Sequence, residues 1–123
     1  MNCALLNPLP PLSSMGAHML ECERRDGREP ITPENCPTWV NISDWSPWPV
    51  LSFADGELHI IAVNAVGPKG SLKRLIEGAR SAGLSPVIVE PMGPSMPEIL
   101  AKWGWKQTIV GEGWNAREEW RAA

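Results

Sequence analysis

Two side chains and one loop are the parts of this 123-residue chain whose types and spacing could do chemistry. His59 lies within Leu58-His59-Ile60-Ile61-Ala62-Val63, an apolar run that reads as a strand. A histidine there is either a base working near neutral pH or a neutral, hydrogen-bonded member of a sheet. Glu90 closes a second run, Pro86-Val87-Ile88-Val89-Glu90. Ligands in open α/β sheets sit at the carboxyl ends of strands; the competing reading is a solvated strand end. Between the two runs lies Asn64-Ala65-Val66-Gly67-Pro68-Lys69-Gly70, with Ser71 opening a helix. Such a loop can present backbone NH groups to a phosphate, or can be a tight turn that needs glycine for backbone reasons alone. Cys22 and Cys36 have no base partner at sequence level and read as small buried hydrophobes. Three cysteines without a CxxC indicate neither a disulfide framework nor a zinc knuckle, so no metal is expected.

The elements that must hold these residues follow from periodicity. Val50–Phe53 and Leu58–Val63 flank Asp55-Gly56, a tight hairpin dipeptide. The second strand is almost continuously apolar, so it is expected to be central and covered on both faces. Leu72, Leu75, Ile76 and Ala79 form one helical stripe, begun by Ser71 as a cap and ended at Gly83. The strand at 86–90 follows. Ser95-Met96-Pro97-Glu98 has the form of a capping box. It opens a helix with Met96, Ile99, Leu100 and Trp103 as its buried stripe and Gly104 as its stop. Trp105–Gly111 reads as a strand, and Asn115-Ala116-Arg117-Glu118 as the capping box of a short last helix through Trp120. Strands flanking each helix imply crossover connections and parallel pairing.

The first half is less regular. Residues 1–17, with Pro8, Pro10 and Pro11, read as an irregular arm, and residues 18–31 as a hairpin turning at Asp26-Gly27. Residues 32–49 form a proline-punctuated loop with a short strand at Trp39–Ile42. Trp39, Trp45 and Trp48 in that loop have two readings. They form a partner-binding surface, since tryptophan is enriched in binding hot spots, or they cover the open side of a small sheet. The expectation is one α/β domain over residues 18–123.

Composition narrows the function classes. The net charge is −3 and the basic residues are spread out, adjacent only at Arg24-Arg25 and Lys73-Arg74, which disfavours nucleic-acid binding. No apolar run approaches the roughly 20 residues of a membrane span, and the N-terminus has no basic, then apolar, leader pattern. A cytoplasmic protein with reduced thiols is the simplest expectation.

The ordered set of elements over residues 50–111 resembles the back half of the GNAT (N-acetyltransferase-type) superfamily. The carriers are Leu58–Val63, Gly67–Gly83, Val87–Glu90 and Ser95–Trp105, the last similar to the family's helix ending in Leu-Gly-Phe. The resemblance covers about half the chain. It implies a truncated GNAT-like mixed sheet flanked by two main helices, behind an irregular Pro/Trp-rich N-terminal part. It further implies acetyl-CoA as cofactor, with its pantetheine arm between two splayed central strands. The pyrophosphate would rest on Val66, Gly67, Lys69, Gly70 and Ser71, and an NH near Val63 would polarise the thioester carbonyl.

The chain departs from the family at named places. Pro68 removes one donor from the loop. Leu100 stands where the family often has its acidic tyrosine, and the chain contains no tyrosine. The front half is abbreviated. The reading is therefore a GNAT-fold protein that has lost acetyltransfer and serves as a binding or structural component. In style it resembles small GNAT-like proteins of tailed bacteriophages, which would place it in the virion or the host cytoplasm. The alternative is an acetyl-CoA-dependent N-acetyltransferase working by direct attack of an amine, with His59 and Glu90 the candidate acid–base groups.

Overall fold

The hairpin at Asp55-Gly56 forms as its sequence requires. Both residues have positive φ (47° and 75°), the backbone of the tight turn that matches strand twist. In the computed structural model, which describes residues 9–91 and 95–122, it joins β2 (Val50–Ala54) to β3 (Glu57–Ala62). Six strands make one mixed sheet in the order β1-β2-β3-β4-β6-β5. The others are β1 (Glu29–Pro30), β4 (Ser85–Val89), β5 (Lys106–Val110) and β6 (Arg117–Arg121). Three helices complete the chain: α1 (Ser14–Arg25), α2 (Ser71–Ser81) and α3 (Met96–Lys102). The fold class is therefore mixed α/β.

The crossover through α2 makes β3 and β4 parallel neighbours. The one through α3 does not give a second parallel pair, as two crossovers would. Instead β6 is inserted between β4 and β5 and runs antiparallel to both. The expected C-terminal helix is this strand. Its alternation decides the outcome: Arg117, Glu119 and Arg121 lie on one face, and Trp120, which is buried, on the other.

The expected hairpin at 18–31 is also replaced, by α1. Ser13 caps it, its hydroxyl accepting from Gly16 N at 2.9 Å. The helix buries Gly16, Leu20 and Glu23, one stripe at i, i+4 and i+7. Asp26-Gly27 is a turn, but it ends this helix, with Gly27 at φ 86°. The expected strand at Trp39–Ile42 is absent; Ile42–Asp44 is a short 3₁₀ turn.

The two faces of the sheet differ in covering. Leu51, Leu58, Ile60, Ile88 and Trp120 share one face with Leu75, Ile76 and Ala79 of α2 and Leu100 of α3 in a single apolar cluster. Trp45 and Trp48 join that cluster at 2% and 3% exposure. Trp39 is half-buried against α2, where a Cβ on Gly78 would lie 3.1 Å from its ring. The three tryptophans therefore close the core, and the partner surface expected of Trp39, Trp45 and Trp48 is not formed by Trp45 or Trp48. Trp105 is core, but Ile99 (37%) and Trp103 (40%), expected in the buried stripe of α3, are exposed.

Candidate functional site

The β3–β4 ladder supplies the site. Its pairs run from Glu57↔Ser85 to Ile60↔Ile88 and stop there, although β3 continues to Ala62. The ladder thus ends one pair short of the end of β4, and a crevice of about 80 Å³ lies there, lined by Ile61, Ala62 and Val63 from the end of β3 and by Val89 and Pro91. Leu72 and Met96 close its end, and the same two residues line a wide groove of about 720 Å³. That groove runs from Gly67 through Lys73 to Ile99 and Trp103. Crevice and groove are thus neighbours: a narrow apolar slot beside the N-terminus of a helix.

The loop that enters α2 is built around Asp44. Val66 N and Gly67 N both donate to the Asp44 carbonyl, at 2.8 and 3.3 Å. Gly67 is required by this approach, since a Cβ there would come within 2.9 Å of Asp44 Cα. The buried Asp44 carboxylate faces the Arg74 guanidinium at 3.4 Å. Arg74 also donates to the carbonyls of Pro68 and Lys69, both at 3.0 Å, and to Ser71 Oγ at 3.2 Å. Ser71 Oγ in turn donates to Pro68 O at 2.9 Å, so Ser71 braces the loop and is not the cap. The cap is Gly70, with φ 93° and no side-chain bond. Ser95, read as the cap of α3, likewise makes no side-chain cap bond.

Of the six residues expected to hold a cofactor, Val63 lines the crevice, while Gly67, Lys69, Gly70 and Ser71 line the groove. Val66 is exposed, and its NH is spent on Asp44. The donors left for an anion are therefore those of the first turn of α2, which have no carbonyl four residues back. Lys69 and Lys73 stand on the same groove, Lys73 Nζ 5.7 Å from the Trp103 ring centroid. Sequence reasoning missed Arg74 and Asp44. A signal existed for Arg74, which sits four residues after Gly70 and so one turn above the loop; Asp44 is distant in sequence and gave none.

The acid–base candidates are elsewhere. His59 points to the face opposite the α2 cluster, into a network of charges. Its Nδ1 lies 2.9 Å from Arg117 Nη2, which can only donate, and its Nε2 lies 3.1 Å from Glu57 Oε1. The ring therefore carries its proton on Nε2. Burial lowers its pKa, opposed by the Glu57 bond and reinforced by the Arg117 charge. Glu23 is the centre of the network. It accepts from Arg28 (2.7 and 3.1 Å), Arg117 (2.6 and 3.3 Å) and Ser52 Oγ (2.7 Å). Burial alone would raise its pKa, but these bonds outweigh it and hold the carboxyl at about 2. Arg121 closes the far end on Glu57 (2.7 Å) and Glu119 (2.8 Å), which lowers the Glu57 pKa.

Glu90, exposed at φ 46°, ties β4 to β6: its NH donates to Glu118 O at 2.9 Å and its Oε1 accepts from Glu118 N at 2.8 Å. Neither candidate reaches the crevice lining, which among the described residues holds no titratable side chain. No group of three or more metal-ligating side chains occurs among the described residues, and no described helix is long and apolar enough to cross a membrane. Comparison with known proteins adds no relative: no family model, curated protein or solved structure matches the chain.

Proposed function

We propose that this chain is a GNAT-type scaffold that binds the pantetheine–pyrophosphate portion of an acyl-CoA and no longer transfers the acyl group, serving as a binding or structural component. The observation that carries the reading is the end of the β3–β4 ladder at Ile60↔Ile88, where an apolar crevice lies next to the groove at the first turn of α2, the two sharing Leu72 and Met96 in their linings. An extended arm would enter at the slot lined by Ile61, Ala62, Val63 and Val89, which at about 80 Å³ holds only part of it, the remainder lying in the groove. A pyrophosphate fits a helix N-terminus, where free NH groups and the dipole favour negative charge, with Lys69 and Lys73 adding charge. Loss of turnover is supported by the acid–base groups: His59 and Glu90 are both committed to contacts with β6, and Leu100 is fully buried where the family's tyrosine would stand. A leaving thiolate would find no proton donor of suitable pKa on the crevice wall.

Titration of CoA by calorimetry or thermal shift tests binding. The informative pair is Gly70→Asp against Gly70→Asn. Both place a side chain at φ 93°, a region Asn and Asp tolerate best, but only Asp repels a pyrophosphate. Gly70→Asp should weaken CoA binding at least tenfold, about 1.4 kcal/mol, with Gly70→Asn much closer to the parent. No CoA-dependent shift in the parent protein would end the reading. Thiol release from acetyl-CoA with added amines should stay at background; release above it would favour the alternative, N-acetyltransfer by direct attack.

A further inference from the structure

The sheet has two margins, and they are finished differently. At one, β1 is only two residues long and ends on Pro30, which is buried. Short length and proline are the usual ways of making an edge unavailable for pairing. At the other, β5 is five residues long, pairs among the described residues only with β6, and contains neither proline nor a register shift against it. Every residue of β5 is exposed, including Ile109 (58%) and Val110 (45%). Trp114, in the loop that follows, is fully exposed. An unblocked strand edge carrying adjacent large apolar side chains is a template for another strand.

The charges around β5 point to the occupant. Lys106 begins the strand, and Glu112, extended again beyond the bend at Gly111, lies just past its end. A two-fold axis that pairs β5 with its own copy reverses one strand against the other, so the beginning of each meets the end of its mate. Centred on Ile109, the register pairs Ile109 with Ile109 and Thr108 with Val110. It brings Lys106 of each copy to the far end of its mate's β5, close to Glu112, which follows two residues beyond that end. We infer that β5 is the interface for a second copy of this chain, joining two sheets antiparallel through their β5 edges, with α1 of both copies on the same face. The inference is independent of the ligand reading, because the crevice and groove are lined from β3, β4, α2 and α3 and not from β5.

The test is sedimentation equilibrium of the full chain across micromolar to millimolar concentration. The parent protein should show a monomer–dimer equilibrium. Ile109→Lys, an exposed position outside the core, should weaken the dimer at least tenfold by placing like charges across the axis, with an unchanged circular dichroism spectrum. Lys106→Glu and Glu112→Lys should each weaken it by about threefold, as exposed ion pairs do, and the double exchange should restore it. A parent that stays monomeric, or a dimer indifferent to Ile109→Lys, overturns the interface. A dimer that responds to Ile109→Lys while the double exchange fails to recover overturns the register.

Discussion

On one face of the sheet Leu58, Ile60, Ile88 and Trp120 meet α2 and α3 through apolar contact; on the other, Ser52, His59, Glu119 and Arg121 share a charged network with Glu23 of α1. Both faces are buried, but they obtain their cohesion from different physics. The apolar face gains from water exclusion and tolerates imperfect fit in small steps. The charged face is an ion network with every member's partners in place, so its stability depends on all of them together. Within the network Glu23, Glu57, Glu119 and, at its exposed end, Asp26 face Arg28, Arg117 and Arg121, with His59 neutral. Among the described residues, no buried side-chain polar atom lacks a partner.

The comparison breaks most sharply at Glu23. Glu23→Ala strands Arg28 and Arg117 and should cost about 3–5 kcal/mol in chemical denaturation. Leu58→Ala on the other face should cost about 2–5 kcal/mol. The magnitudes overlap, so pH separates them. The folded pKa of Glu23, about 2, lies below its ordinary value of 4.5. Its contribution is therefore complete above pH 4.5 and lost as pH falls toward 2, about 3 kcal/mol in all. Glu23→Gln should remove most of that acid dependence, whereas Leu58→Ala should lower stability without changing it. A smaller effect of the same sign belongs to His59, whose pKa is lowered from 6.5. The unfolded chain takes up the proton first, so stability begins to fall just below pH 6.5, and His59→Gln should flatten that part of the profile. Smallest of all, Arg24→Ala removes an exposed pair with Glu21 and should change stability by at most about 0.5 kcal/mol.

The same contrast decides what the sequence could reveal. The elements packed by apolar periodicity, the 50–62 hairpin, α2, β4 and α3, were legible to within one or two residues. So was the hairpin turn at Asp55-Gly56. The elements packed by charge were not. In α1 the inward stripe is Gly16, Leu20 and Glu23, and a stripe with one large hydrophobe in three positions has no hydrophobic period to detect. In Arg117–Arg121 both parities are mostly polar, so alternation was hidden and the Asn-Ala-Arg-Glu capping pattern took precedence. What turns Arg117 inward is Glu23, 94 residues away. At the site, the loop and the two parallel strands beside it were legible, but the bracing of that loop by Arg74 and Asp44 was not; His59 lies in the sheet with hydrogen-bond partners on both ring nitrogens.

The position of β6 has a consequence for synthesis. The strand that fills the gap between β4 and β5 is translated after both, and it carries Arg117, the mate of a carboxylate in the first helix. A nascent chain lacking Arg117–Arg121 would hold Glu23 without Arg117 and two strands with a vacant lane between them. Native assembly must therefore await release of those residues from the ribosomal tunnel, and a ribosome stalled short of them would display an adhesive, half-built sheet to whatever chaperone is near.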